Sequence, residues 1–321
     1  MTKSNLEFVK GAKENTIRTD NGFNAPKRAF TRYFYNHNMG GVTFSSTKLL
    51  LPDFAPAEIL FIRLFIAYIF LCFLCRKSIG FTKFSNELLF VIAGLSGGCL
   101  YFLTENIALQ YTTASNASLL VSINPFFTGL LFAIIYRKKL SRNFILGFLV
   151  SFVGIFLMIF QGKFSLEIYP IGDFLCLLAG IIWSVYTLFL EMIFARFRGY
   201  SHLAFLKKIF FYGLLFALPF ALYQSGILSG DFRALQDSAR YINAMNLANL
   251  LFLGLIASGL CYLSWNTALK LLGSLKASAY IYGVPVIGVI AACVSLKESL
   301  SYCIIIGGLL TLFGLFLSQR K

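Results

Sequence analysis

Three ionisable residues sit inside apolar runs, where an unmatched charge is costly: Lys48, Arg63 and Glu105. A buried acid beside a buried base can bind a charged ligand or carry a proton. Asn106 and Asn266 stand 160 residues apart in otherwise matching surroundings, and Asn both donates and accepts hydrogen bonds. They are candidates for ligand hydrogen bonding or, alternatively, for holding helices together at about 0.6 kcal/mol each. Asn124 has the same two readings. Pro125 and Pro285, again 160 apart, each lack an N–H and free the carbonyl four residues earlier, at Val121 and Ile281. Ser122, Tyr282 or a ligand could satisfy those carbonyls, or the prolines could simply kink their helices. Trp183, Tyr186, Trp265 and Tyr282 offer aromatic faces with polar edges that could stack on an aromatic or cationic ligand. Trp265 and Tyr282 stand out because they flank the repeated Asn and Pro.

Covalent chemistry is not supported. Gly94-Leu-Ser96-Gly97 reads as a serine-nucleophile pattern, but such a serine needs a base, and the only histidines, His37 and His202, lie outside the apolar runs. No His-Glu-x-x-His and no phosphate-binding Gly-x-x-x-x-Gly-Lys-Ser/Thr occurs. The chain is expected not to be an enzyme, to use no ATP and to need no cofactor. The seven cysteines lie in or beside apolar segments and read as small buried hydrophobes.

The elements that must position these residues are membrane helices. The chain is 58% hydrophobic and 13% charged, against about 25% charged for soluble domains. Runs long enough to cross hydrocarbon fall near 56–75, 88–110, 116–136, 143–161, 173–194, 209–227, 247–269, 277–296 and 303–318, preceded by a half-length segment at 41–51. They are continuously apolar rather than alternating, which argues against a β-barrel. Residues 1–38 are polar and basic, with no cleavable signal peptide in view. The net charge of +15 would suggest nucleic acid in a soluble protein. Here it falls in loops and reads as topology, so no nucleic-acid partner is expected.

Alternate loops carry fifteen Lys/Arg (Arg76 to Lys83, Arg137 to Arg142, Arg196 to Lys208, Lys270 with Lys276, and Arg320 with Lys321), against Lys163, Arg233, Arg240 and Lys297 in the opposite loops. The basic side is the cytoplasmic one, which puts the C-terminus, and the basic N-terminus, inside. The matching segments Glu105-Asn-Ile-Ala-Leu109 and Trp265-Asn-Thr-Ala-Leu269 hold register at a spacing of 160 through Pro125/Pro285, Leu140/Leu300, Gly147/Gly307 and Gly154/Gly314. The first copy then runs from inside to outside and the second from outside to inside. An inverted repeat of membrane helices is the architecture of secondary transporters, with substrate bound near the midplane between the halves.

The residues also resemble a known family. Glu105-Asn-x-Ala-Leu-x-Tyr111, Ala114-Ser-Asn-Ala-Ser-Leu-Leu120 and Pro125 are similar to the first repeat of the EamA family of the drug/metabolite transporter superfamily. Trp265-Asn-x-Ala-Leu, Tyr280-Ile-Tyr282, Pro285 and Leu296-Lys-Glu298-x-Leu300 are similar to its second repeat, and Thr47-Lys48-Leu-Leu-Leu with Phe61-Ile-Arg63 to its first two helices. The resemblance covers residues 41 to 318. It implies ten helices, both ends cytoplasmic, and transport of small metabolites or drugs, often outward. Two departures are visible. Lys138 stands where the second repeat has Glu298. Residues 31–40, with Arg32, Asn36, His37 and Asn38, lack the apolar half of a first helix. That segment reads either as an interfacial end to a short helix or as a disrupted gene start.

The expectation is an all-α membrane protein of ten transmembrane helices in two inverted five-helix repeats, the first helix atypical. Residues 1–40 form a polar basic segment, 41–161 repeat 1 and 170–318 repeat 2. It would be a secondary exporter of small metabolites or drugs in a cytoplasmic-type membrane, its partners a small-molecule substrate and the lipid bilayer, with a homodimer left open. Lys48, Arg63 and Glu105 would all lie roughly 6–11 Å below the outer surface at 1.5 Å per residue. They form one cluster there, or Lys48 snorkels outward and only Arg63 and Glu105 pair. Proton coupling through Glu105 and substrate exchange both fit. The competing reading is a non-transporting membrane protein with a damaged first helix.

Overall fold

In a computed structural model, the described residues are 41–121, 123–135, 137, 141–160, 170–197, 199–227, 239–272, 283–298 and 300–319. Among them the regular structure is helical. The helices are α1 (Val42–Leu50), α2 (Pro56–Leu74), α3 (Phe84–Tyr111), α4 (Ala114–Ile135), α5 (Arg142–Phe160), α6 (Pro170–Arg196), α7 (His202–Gln224), α8 (Ala244–Leu272), α9 (Gly283–Leu296) and α10 (Tyr302–Gln319), with a single helical turn, Ala239–Ile242, just before α8. Six apolar stretches are long enough to cross a membrane, in α2, α3, α4, α6, α7 and α8; α5, α9 and α10 carry shorter apolar stretches. Residues 31–40, and with them the question of the first helix's missing half, lie outside the described residues, as does Lys138.

Several helices begin earlier than hydropathy suggests. α3 starts at Phe84 rather than 88, and α7 at His202 rather than 209. The extra turns carry Glu87, Lys207 and Lys208, whose polarity breaks an apolar run. Glu87 and Lys208 pair with each other, and Lys207 donates to the Cys75 carbonyl at 3.0 Å, so these residues stay helical while buried. α1 is short but interior: Thr43, Phe44, Ser45, Ser46 and Thr47 are all buried.

Both α3 and α8 contain a wider π-helical stretch, at Gly94–Leu100 and Phe252–Cys261. At the repeat spacing of 160 these coincide. Such turns loosen the backbone ladder and occur often at functional sites. Here one freed carbonyl, that of Gly97, accepts the Tyr262 hydroxyl at 2.8 Å. The Gly97 Cα faces the Tyr186 ring, leaving no room for a side chain.

The two copies meet through glycine. A Cβ on Gly147 would lie 2.3 Å from the Gly314 carbonyl oxygen, and one on Gly154 2.4 Å from that of Gly307. Between them Ser151 Oγ donates to the Thr311 carbonyl at 2.8 Å. In repeat register Gly147, Ser151 and Gly154 are the counterparts of Gly307, Thr311 and Gly314. Gly147 therefore meets the counterpart of Gly154, Gly154 the counterpart of Gly147, and Ser151 its own counterpart, a reciprocal pattern in which α5 and α10 run antiparallel. Small residues are what allow such close approach in lipid, where no hydrophobic force drives helices together. The outward faces of these helices expose Leu149, Phe152, Phe156, Leu309, Phe313 and Phe316, as expected of a surface facing acyl chains.

Gly154→Leu is expected to wedge α5 from α10 and cost about 1–3 kcal/mol through overpacking. It should appear as a melting temperature several degrees lower in detergent. Gly80→Ala, where an added Cβ meets nothing within 4 Å, should leave the melting temperature unchanged.

Candidate functional site

α3 and α8 converge on Arg63 of α2. Its side chain is fully buried, 1% exposed, and so is that of Glu105. Arg63 Nε donates to Ser258 Oγ at 2.9 Å, and the guanidinium lies 3.8 Å over the Phe102 ring. Its Nη1 has no hydrogen-bond partner. Glu105 sits within electrostatic reach of Arg63 and beside the Tyr101 hydroxyl, yet its Oε1 also has no partner. The two charges thus face the same interior without closing a direct ion pair. That leaves one donor and one acceptor unmatched, which is costly in a dry interior unless something occupies them.

The walls are aromatic. Trp183 of α6 lies 4.7 Å from Tyr101, 5.2 Å from Tyr186, 5.3 Å from Tyr262 and 5.9 Å from Trp265, centroid to centroid. Its Nε1 is buried with no partner. Such a group of rings can take an apolar or cationic portion of a ligand. Asn266 lies at its edge, and both Asn266 and its repeat counterpart Asn106 are fully buried and half-satisfied. Asn106 Nδ2 donates to the Pro56 carbonyl at 2.9 Å while its Oδ1 is unmatched. Asn266 Oδ1 accepts from the Tyr186 hydroxyl at 3.0 Å while its Nδ2 is unmatched. Asn124 is buried against α6, and its carbonyl accepts from Ser184 Oγ at 3.0 Å. α4 is interrupted at Ile123, immediately before Asn124 and Pro125. Tyr282 lies outside the described residues. Pro285 lies in α9, its side chain outside them.

Lys48 does not join Arg63 and Glu105. Its Nζ donates to the Thr112 carbonyl, at the turn between α3 and α4, and Glu298 lies within its electrostatic reach. That turn is gripped from three other helices. Glu298, just past α9, accepts from the backbone N–H of Ala114 at 2.9 Å and of Ser115 at 3.1 Å, and from Ser115 Oγ at 2.8 Å. It caps the N-terminus of α4, where orphan donors and the helix dipole favour an anion. Asp173, in the first turn of α6, accepts from Thr112 Oγ1 at 2.6 Å and Asn116 Nδ2 at 3.3 Å.

The charged centre also lies within one half. Glu105, Tyr101 and Phe102 have Trp265, Cys261 and Tyr262 as their repeat counterparts.

The EamA-like transporter family matches residues 39–160 and again 170–319. The chain belongs to that family. An uncharacterized transporter of Archaeoglobus fulgidus is 28% identical over 289 residues, 87% of this chain and 93% of that one. The uncharacterized transporter YetK of Bacillus subtilis is 24% identical, covering 84% of this chain and 79% of its own length. A probable terminal-alkyne amino-acid exporter of Streptantibioticus cattleyicolor is 24% identical across 72% of each chain. A solved crystal structure of a protein 18% identical to this one has a TM-score of 0.61, covering 91% of this chain and 97% of that one, a likeness of fold alone. This EamA-family chain is therefore a multi-pass membrane protein of transporter type. Its family and relatives are named for transport rather than catalysis.

Reading the sequence for isolated charges picked out Arg63 and Glu105 but passed over the side chains that frame them, Tyr101, Phe102, Ser258 and Tyr262. It also passed over Asp173 and treated Glu298 only as a loop acid. Glu298 was the most accessible of these omissions, since an acid at a span end can cap a neighbouring helix.

Glu298→Gln is expected to keep a hydrogen-bond acceptor but lose the anion at the α4 N-terminus. It should destabilise the protein by about 0.5–2 kcal/mol, read as a lower midpoint in thermal unfolding. Glu298→Ala should lower it further.

Proposed function

We propose that this chain is a secondary transporter that exports a small polar metabolite by alternating access, with ten helices in two inverted five-helix halves and both termini cytoplasmic. The observation that carries the reading is the buried Arg63–Glu105 pair, whose Nη1 and Oε1 face the same aromatic interior without partners. A ligand bearing both an anionic and a cationic group would match the two at once, with Trp183 and Tyr262 against its apolar part. The relative named as a probable amino-acid exporter is consistent with such a zwitterion. The antiparallel, reciprocal contact of α5 with α10 supports the inverted arrangement, and the bias of basic residues to alternate loops supports the orientation.

Metabolites that accumulate in cells lacking the protein supply the candidates, and vesicle flux of those candidates tests them. Glu105→Gln keeps the shape and removes the charge. Losing one charge-assisted contact worth about 1.5–3 kcal/mol should reduce flux roughly tenfold or more, at an unchanged amount of protein in the membrane. Wild-type flux in that variant would remove Glu105 from the transport route.

A further inference from the structure

Two buried ion pairs join the halves, one at each end of the bundle. At one end Glu58, in the first turn of α2, binds Arg240 bidentately, with Nη1–Oε2 at 3.1 Å and Nη2–Oε1 at 3.0 Å. Arg240 precedes α8 and also donates to the Asp53 carbonyl at 2.9 Å and the Tyr241 hydroxyl at 2.9 Å. Its guanidinium lies 4.7 Å from the Phe54 ring. Burial works against that charge, but the hydrogen bonds and field of Glu58 outweigh burial and raise the Arg240 pKa above its ordinary value. At the other end Lys208 of α7 lies 2.8 Å from Glu87 Oε1 and 2.9 Å from Oε2, in the first turn of α3. Tyr212 and Thr82 also donate to Glu87, and Lys208 lies 4.8 Å from the Phe90 ring. The side chains of both pairs are 8–12% exposed.

The ends are opposite because α2 and α3 are antiparallel. Asn106, late in α3, bonds to the carbonyl of Pro56 at the start of α2, so Glu87 lies at the far end from Glu58. Arg63 is five residues into the bundle from Glu58, about 7.5 Å of helix. Glu105 is eighteen residues from Glu87, about 27 Å of helix. Inward of each pair the two helices cross on glycine. Gly254 of α8 sits on Ile66 and the Arg63 carbonyl, while Gly94 and Gly98 of α3 sit on Tyr212 and Gly213 of α7. Each crossing can therefore act as a pivot with an ionic tie at one end only.

We propose that Glu58–Arg240 and Glu87–Lys208 are reciprocal gates, each sealing one end of the route to Arg63 and Glu105. Both are closed in this structure, and they open one at a time. Separating either pair strands two charges unless water enters at that end. Opening both would strand four, so the closed state of one gate stabilises the bundle while the other opens. The role of the route rests on the transport reading of Arg63 and Glu105, but the gates themselves are read by accessibility rather than by flux.

Cys261, buried on α8 and within electrostatic reach of Arg63, is a native reporter. The full-length protein in sealed vesicles is treated from one face or the other with a membrane-impermeant maleimide, and labelling of Cys261 is read by peptide mass spectrometry. Arg240→Gln should raise the labelling rate at least fivefold from one face only, and Glu87→Gln by a similar factor from the opposite face only. Exchanging the charges, Glu58→Arg with Arg240→Glu, should return protection to the wild-type level. Should either variant fail to accumulate, neutralising the other partner of the same pair, Glu58→Gln or Lys208→Gln, must give the same face-specific increase. Unchanged labelling, or increases from the same face, would overturn the proposal, as would an exchanged pair as open as Arg240→Gln. Loss of flux with intact gating would instead count against the transport site alone.

Discussion

A guanidinium in the middle of a helical bundle is tolerated only if its surroundings replace water. Arg63 is fully buried, and the helices around it are arranged accordingly. α8 brings Ser258 to Nε, while α3 brings Phe102 beneath the plane and Glu105 into electrostatic range. The close approach of α8 to α2 depends on Gly254, whose Cα lies against the Arg63 carbonyl and Ile66. A bulkier residue there would lift Ser258 from its partner. The packing of the bundle and the electrostatics of its centre are one constraint.

The same constraint explains how a duplicated architecture carries an asymmetric site. The halves share their π-helical turns, their paired asparagines and the glycines that join α5 to α10. At the centre they diverge. Tyr262 uses its hydroxyl to hold the Gly97 carbonyl, while its counterpart Phe102, with no hydroxyl, lies under Arg63. Trp265 replaces Glu105 with an indole, placing one carboxylate rather than two against one guanidinium. A second acid would add a like charge in low dielectric.

Polarity away from the centre is spent on the ends. Lys48, Glu298 and Asp173, from α1, the end of α9 and α6, all hold the turn at Thr112. Helix ends expose unpaired donors and acceptors that hydrocarbon cannot satisfy, so charges there are stabilising where the same charges unpartnered in the middle of the membrane would be costly. This is also why Lys48 and Glu105 part company: a cation near a helix C-terminus finds carbonyls and the negative end of the dipole close by.

Hydropathy, loop charge and the spacing of 160 are properties of the chain itself, so the sequence alone determined the membrane class, most helix positions, the duplication and the equivalence of Asn106 with Asn266. It also singled out Arg63 and Glu105, because a charge within an apolar run is conspicuous whatever the fold. It could not say which charge meets which. Lipid and protein interior are both apolar, so a membrane helix carries little sequence signal for the direction it faces. Polar first turns such as those of α3 and α7 look like loops until their partners are known. Only the tertiary structure decided helix rotation and depth. Those determine that Lys48 turns to Thr112, that Glu298 caps α4, and that Glu58 and Glu87 find their cations in the other half.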